Sequence, residues 1–168
     1  MENKDVARWN CYYKLSKYHQ DIEPYRGSEQ AFYDQFKPYE VIEGEGNCLL
    51  NVGIDEMWDL IVGDSTNHFS NAAATIGVGD SATAAVATQT DLQAVTNKTY
   101  KGMETGYPTS TTQKATFKAS FGTSEANYVW NEWVVKQATS TKCLNRKVES
   151  LGTKSTGTWT LEVSITLS

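Results

Sequence analysis

Carboxylates are the side chains best suited to acid–base chemistry here, and two pairs lie close together in sequence. Glu125 and Glu132 are seven residues apart in a segment of β-like composition. At the rise of a strand they are about 20 Å apart on opposite faces, which does not suit two carboxylates sharing one glycosidic oxygen. Asp80 and Asp91 could meet as calcium ligands if their loop folded back. The dense acidic pattern of a calcium loop is absent, which favours a solvated pair.

A glycine-rich segment, residues 77–81, is superficially similar to a phosphate-binding loop. Ala82 stands where a dinucleotide loop needs its third glycine, and no Gly-Lys-Ser/Thr follows. We therefore predict a turn that ends a strand, in which Asp80 and Ser81 bond to nearby backbone N–H groups.

Cysteine and histidine chemistry has little support in this chain. Cys11, Cys48 and Cys143 are far apart, without a CxxC spacing, which favours buried or half-buried thiols in a reducing compartment. His19 and His68 form no ligand-spaced pair. We expect no catalytic residue, no cofactor and no metal site.

Three tryptophans raise the question of a sugar-stacking platform. Trp130 and Trp133 should face opposite sides of one strand, so only one of them could share a surface with Trp159. Core packing is the favoured interpretation of all three, and a carbohydrate-binding surface is the alternative.

The composition of the chain changes near residue 46, which divides it into two parts. Residues 1–46 hold nine of the 19 aromatic residues and no threonine, whereas residues 47–168 hold all 20 threonines. Val6, Trp9 and Tyr13 fall at helical spacing, and Ser28 could cap a short helix that ends before Pro38. We predict that residues 1–46 form an extended arm with local helical turns.

The arm is predicted to bind partners, because aromatic rings without aliphatic support usually mark an interaction site. The expected partner-binding residues are Trp9, Tyr12, Tyr13, Tyr18, Tyr25, Phe32 and Tyr33. The alternative is that these rings cover the β-domain of their own chain. If the arm only docks, deleting residues 1–40 should leave a folded domain that no longer binds.

Residues 47–168 are predicted to form a mainly β domain, an antiparallel sandwich or barrel, after a leading helix over residues 51–62. The helix carries an apolar stripe and ends at Gly63. In residues 159–167 the odd positions should be buried and the even ones exposed. Residues 128–136 are apolar on both faces, as in a central strand, and residues 72–90 should form a strand followed by a long ordered loop.

Charge and hydropathy limit the partners. The net charge is −5 without a basic cluster, which argues against nucleic acid as the main partner. Uncharged stretches such as residues 65–79 are too short and polar for a membrane helix. The first residues lack the basic and apolar parts of a signal peptide, so we expect synthesis and retention in the cytoplasm.

Several blocks of the second part resemble a family of tailed-bacteriophage virion proteins over about residues 44–168. They are IGVGDS (76–81) with TDL (90–92), ATF (115–117) with FG (121–122), EAN (125–127) with NEW (131–133), LNRKV (144–148), and the strand over 159–167. The resemblance implies a non-enzymatic structural role in the particle and supplies no catalytic residues.

A compact β body with an aromatic arm favours a capsid decoration, or cement, protein that binds the lattice of the major capsid protein, often as a homotrimer. The expected location is then the capsid surface of the virion, after synthesis in the host cytoplasm. The alternative is a protein of the tail or tail fibre, structural or receptor-binding through carbohydrate.

Overall fold

The computed structural model describes residues 7–168. In this range ten strands form two antiparallel sheets that pack face to face around one core. The strands are β1 (Trp9–Tyr18), β2 (Glu40–Glu45), β3 (Cys48–Leu49), β4 (Ala74–Gly79), β5 (Lys98–Gly102), β6 (Thr109–Thr111), β7 (Lys114–Phe121), β8 (Val129–Gln137), β9 (Cys143–Thr153) and β10 (Thr158–Leu167). The helices are α1 (Glu29–Gln35), α2 (Asn51–Val62) and a 3-10 turn (Glu23–Tyr25).

The predicted mainly β antiparallel sandwich is confirmed, and the sheets do not close into a barrel. Sheet A has the strand order β2-β1-β10-β7-β6, and sheet B has the order β3-β9-β8-β4-β5. The inward side chains of both sheets form the core, for example Leu15 and Leu161 of sheet A with Ile76 and Val135 of sheet B.

The N-terminal segment is part of the sandwich, so the prediction of an extended arm is wrong. β1 lies between β2 and β10 in sheet A, and it pairs with β10 along all ten of its residues. The helix suggested by Val6, Trp9 and Tyr13 is wrong for the same reason, and Val6 itself lies outside the described residues. A strand with two neighbours satisfies its backbone polar groups and buries one face, which single helical turns on a surface cannot do.

In the central part of β10, the odd-numbered residues are buried, as predicted. Trp159, Leu161, Val163 and Ile165 are buried, whereas Leu167 at the end of the strand is 49% exposed. The prediction fails on the other face at the start of β10, because a covering segment buries the even-numbered residues there, Thr158 and Thr160.

That cover is formed by α1 and the 3-10 turn. Tyr18, Ile22 and Phe32 form a small buried cluster, against which further rings pack. The short helix predicted after Ser28 is present as α1, and Ser28 occupies its N-cap position. The sandwich is therefore capped by a local aromatic cluster on the outer face of sheet A.

β8 is the central strand of sheet B, as its two apolar faces predict. Its register with β9 shifts between Trp130 and Glu132. The simple alternation of side chains is lost at this shift, so Trp130 and Trp133 both lie in the core between the sheets. The expectation that these two tryptophans face opposite sides is therefore wrong.

α2 has the predicted bounds, but only part of its apolar stripe is buried. Gly63 ends the helix in the left-handed conformation (φ 85°). Gly53 packs against the backbone of Leu144 in β9, where a Cβ would lie 2.6 Å from the Leu144 Cα. Trp58 and Ile61 belong to the apolar stripe of this helix, yet they are 61% and 72% exposed. Among residues 7–168, no helix is both long and apolar enough to cross a membrane.

Candidate interaction surfaces

Glu132 belongs to a buried ion pair and is not part of an acid–base pair with Glu125. Its carboxylate lies 2.6 Å from Nε of Arg146, and both side chains are completely buried. Backbone N–H groups of Gln93 and Ala94 donate to the same carboxylate at 2.9 and 2.7 Å. All these contacts hold a charged group in place, which gives Glu132 a structural role.

The partner of Glu132 fixes the long loop between β4 and β5. The guanidinium of Arg146 donates to Gln89 Oε1 at 2.9 Å and to the Thr83 carbonyl at 2.8 Å. Gly79 is required next to the pair, because a Cβ at this position would lie 2.6 Å from Glu132 Oε1. The glycine-rich segment therefore ends a strand, as predicted, and the loop after it is ordered. Ser81 Oγ accepts from the Thr83 N–H as expected, whereas the Asp80 carboxylate accepts from the side chain of Asn97 and not from the expected backbone N–H.

Glu125 lies in a different set of contacts. It accepts from Lys101 and from the Gly122 N–H, and it lies 3.3 Å from a guanidinium nitrogen of Arg26. Burial would raise the pKa of Glu125, but these donors and charges together lower it. The carboxylate is therefore ionised at neutral pH and joins β5, the 3-10 turn and the β7–β8 loop.

The two aspartates considered for calcium are each used by protein donors. Asp80 accepts from the Asn97 amide at 2.7 Å, and Asp91 accepts from Lys136 at 2.5 Å and Tyr100 at 2.6 Å. Desolvation opposes ionisation of Asp91, but the bonds from Lys136 and Tyr100 lower its pKa overall. In the described part of the chain, no three histidine, cysteine or acidic residues come together as metal ligands.

The thiols are placed as the spacing of the cysteines predicts. Cys11 and Cys143 are buried, and Cys48 is half-buried. Desolvation raises the pKa of Cys11 to about 12 and that of Cys143 further still. Both thiols therefore stay protonated and are weak nucleophiles at neutral pH.

His19 stacks on Tyr39, with ring centroids 4.3 Å apart.

The three tryptophans are core residues, so the sugar-stacking platform made of them is wrong. Trp130 and Trp159 pack edge to face with centroids 4.9 Å apart, and Trp133 packs on Tyr13 at 5.5 Å. None of the three is more than 3% exposed, and a ring in this position cannot reach a ligand.

The seven aromatic residues predicted to bind partners are dispersed through the fold. Tyr13, Tyr18 and Phe32 are buried within their own chain, so their assignment as partner-binding residues is wrong. Trp9, Tyr25 and Tyr33 are half-buried, and Tyr12 is 39% exposed. The structure thus agrees with the alternative that most of these rings cover their own β-domain.

Tyr33 completes a buried polar cluster that sequence reasoning did not find. Its hydroxyl donates to Glu104, and it lies 2.9 Å from Ser120 Oγ and 3.2 Å from Thr160 Oγ1. Lys118 lies over the Tyr33 ring at 3.8 Å and 3.4 Å from Glu104. Burial and the charge of Glu104 raise the pKa of Tyr33, so the phenol remains a donor. The cluster attaches α1 to sheet A.

One exposed surface is an apolar cleft between α2 and one end of the sandwich. Its volume is about 380 Å³, and we call it the helix cleft. Its apolar lining includes Met57, Leu60, Phe69, Phe117, Ile165 and Leu167. Ile61 continues the Met57–Leu60 stripe onto the exposed face of α2, where Trp58 and Val62 are also exposed. The apolar stripe was visible in the sequence, but its exposure was not.

A second exposed surface is a polar groove on the outer face of sheet A. Two adjoining clefts, of about 850 and 330 Å³, share Glu162 in their linings, and we call them the sheet A groove. The groove exposes outward side chains of β1 and β10, among them Asn10, Tyr12, Ser164 and Thr166. The period-two pattern of residues 159–167 does predict a water-facing row on β10. It does not reveal the neighbouring row on β1.

No protein-family model, curated protein or solved structure matches this chain. The functional argument therefore depends on the chemistry of these two surfaces.

Proposed function

We propose that this protein is a non-enzymatic structural subunit of a tailed-bacteriophage particle, namely a capsid decoration protein that binds the lattice of the major capsid protein as a homotrimer. The observation that carries the proposal is the exposed apolar surface of α2 beside the helix cleft. Support for the virion setting comes from the sequence blocks over residues 44–168, several of which lie in β4, β7, β8 and β9.

The exposed face of α2 has the composition of a protein interface. Trp58, Ile61 and Val62 are 61%, 72% and 65% exposed and lie at positions i, i+3 and i+4 of one helix. Tryptophan is enriched among residues that contribute most to binding, and exposed apolar patches of monomers usually mark interaction sites. The helix cleft next to this face adds a concavity that a partner side chain can enter.

The charges around the surface indicate the chemistry of the partner. Asp55 and Asp64 are exposed near the two ends of α2, and Asp59 is partly exposed and bonded to Lys142 at 3.0 Å. An acidic rim around an apolar centre favours a partner with an apolar projection flanked by basic side chains. We infer that the major capsid protein supplies that projection.

Because several N-terminal aromatic rings are buried, we place the proposed contact with the capsid on α2 and not on an N-terminal arm. Tyr13 and Phe32 are needed within their own chain, whereas Trp58 and Ile61 have no such role. A decoration protein of this form would bind the capsid through its folded domain, at α2, and not through an extended arm.

The second candidate is a protein of the tail or tail fibre, structural or receptor-binding. It is favoured by the sheet A groove, whose first cleft is larger than the helix cleft and is lined by more polar side chains. The two candidates place the protein at opposite ends of the particle, so its location separates them.

The test is the location and incorporation of the protein in particles of the phage that encodes it. Antibody–gold labelling of purified virions should mark heads, and the double variant Trp58→Ser/Ile61→Ser should be incorporated at least tenfold less. The matched control is Val95→Ser, which changes an 89% exposed apolar residue in the β4–β5 loop and should be incorporated normally. Labelling confined to tails, or normal incorporation of the double variant with heads labelled, would contradict the proposal.

A further inference from the structure

The sheet A groove runs along strands β1 and β10. Six residues of β1 separate Asn10 at one end from Ser16 at the other, which corresponds to about 20 Å of extended strand. α1 and the segment that follows it wall the Ser16 end, where Gln30, Phe36 and Lys37 line the cleft. The groove is therefore long enough for a chain of several small units.

Hydroxyl groups line part of this groove. Ser164 and Thr166 of β10 are half-buried and line the first cleft, whereas Thr160 and Ser16, which line the second cleft, are buried. Ser164 Oγ and Thr116 Oγ1 lie 3.0 Å apart across the β10–β7 pair. A hydroxyl can donate and accept, so this row can match a ligand that also carries hydroxyl groups on its surface.

Glu162 lies at the junction of the two clefts. In the register of sheet A it lies opposite Lys14 of β1 and Lys118 of β7. Their ammonium groups lie near other carboxylates, Glu43 at 3.5 Å and Glu104 at 3.4 Å. Within residues 7–168, Glu162 forms no ion pair or hydrogen bond, although it is half-buried. Its acceptor sites are thus directed to a ligand or to water.

Tyr12 supplies an aromatic ring in the same groove. It is 39% exposed and lies opposite Ser164, diagonal to Glu162. Desolvation, a hydrogen bond to Glu43 and the charges of Glu43, Glu162 and Glu45 raise the pKa of Tyr12, so its hydroxyl stays protonated. An exposed ring beside hydrogen-bonding groups offers an apolar face and a polar tip together.

We propose that the sheet A groove binds a neutral oligosaccharide. Glu162 accepts hydrogen bonds from two adjacent hydroxyls of one sugar, Tyr12 packs on the apolar face of a sugar ring, and Ser164 and Thr166 bond to the units alongside. A carboxylate is the acceptor best suited to two neighbouring O–H donors, because it presents two oxygens and bonds to a charged group are stronger.

The charges of the groove favour a neutral ligand over a polyanion. Lys14 and Lys118 are paired with Glu43 and Glu104. The other charged side chains of the lining are two lysines, Lys37 and Lys114, and two glutamates, Glu45 and Glu162, so the groove has no excess of positive charge to attract an acidic chain. This inference does not depend on the proposed function, because a saccharide site can serve on a head or on a tail.

The test is isothermal titration of the full-length protein with four hexasaccharides. Cellohexaose, mannohexaose and chitohexaose are the neutral probes, and hexagalacturonate is the acidic probe. We expect at least one neutral probe to bind with a Kd below about 1 mM, which corresponds to about −4 kcal/mol. Glu162→Gln, which keeps the size of the side chain, and Tyr12→Ala should each weaken binding at least tenfold.

Matched controls lie outside the groove. Asp64→Asn removes an exposed carboxylate and Trp58→Ala removes an exposed ring, and both should leave the affinity unchanged. Melting curves of all variants verify that they are folded. The proposal is overturned if no neutral probe binds, if only hexagalacturonate binds, or if Glu162→Gln binds as well as the unchanged protein.

Discussion

At the scale of single residues, Lys154 differs from the other buried charges. The Arg146 guanidinium is paired with the Glu132 carboxylate, but the Lys154 ammonium donates only to neutral groups, the Gly122 carbonyl at 2.7 Å and the Asn127 amide oxygen at 2.9 Å. The residue is 1% exposed. Desolvation lowers the pKa of Lys154 to about 8, despite the opposing charges of Glu125 and Asp21. A buried lysine without a bound carboxylate costs stability while it is protonated.

This burial predicts a stability that depends on pH. The folded-state pKa of Lys154 lies below the unfolded value, so between about pH 8 and pH 10 the unfolded chain binds more protons and stability rises with pH. From pH 7 to pH 9.5 the gain should be about 2 kcal/mol. The Lys154→Met variant has no ammonium group at this position and lacks this gain. Between pH 7 and pH 9.5, the free energy of unfolding of the unchanged protein should therefore rise by this amount relative to that of Lys154→Met.

Urea unfolding at pH 7, 8, 9 and 9.5 measures this difference. Titration of other groups is common to both proteins and largely cancels in the comparison. Lys98→Met, at an exposed lysine of β5, is the control and should show no such trend. A difference between the unchanged protein and Lys154→Met that stays constant with pH would show that Lys154 is not held in this way.

At the scale of elements, β1 is a strand whose aromatic-rich sequence also fits a helical spacing. Trp9, Tyr13 and Leu15 face the core, while Tyr12 and Lys14 face outward. The alternation is present in the sequence, but it competes with a helical spacing of large rings, and local pattern alone does not choose between them. Pairing with β2 and β10 decides the outcome, because it satisfies the backbone on both sides.

Two adjacent tyrosines of β1 test this arrangement. Tyr13→Ala removes a ring that packs on Trp133 and covers Gly44, and it should lower the free energy of unfolding by about 3–5 kcal/mol. Tyr12→Ala removes an exposed ring and should cost less than about 1 kcal/mol. Urea denaturation at neutral pH gives both values. Equal costs for the two substitutions would mean that β1 does not present these faces.

At the scale of the whole molecule, residues 7–46 and 47–168 fold as one unit. β1 separates β2 from β10, and the Ile22 N–H donates to Thr158 Oγ1 at 2.9 Å to hold the cover over sheet A. The division in composition near residue 46 is real, but it does not correspond to a boundary of the core.

Deleting residues 1–40 should therefore unfold the protein. Without β1, sheet A loses its connection to β2, and β10 exposes an unpaired edge with one side of the core open. Circular dichroism during heating should show no cooperative transition for the truncated chain, in contrast to the full chain. A soluble truncated protein that melts cooperatively would restore the hypothesis of a separate arm.

Features that depend on neighbouring residues were predictable from the chain alone: the β class, the bounds of α2, the strand-ending turn after Gly79 and the alternation of buried and exposed residues in the centre of β10. Alternation, helix-ending glycine and turn residues act within a few positions of the chain, so a local pattern is sufficient for them.

Which of these faces are covered depends on contacts between elements that are distant in the chain. Thr160 is buried because α1 lies over it, and Trp58 is exposed because α2 packs through Gly53 on β9. Trp130 and Trp133 share the core because the register of β8 shifts against β9, at a point where Trp130 pairs with Gly152 and Glu132 pairs with Val148. Periodicity states which residues share a face, but burial of that face depends on a partner distant in the chain.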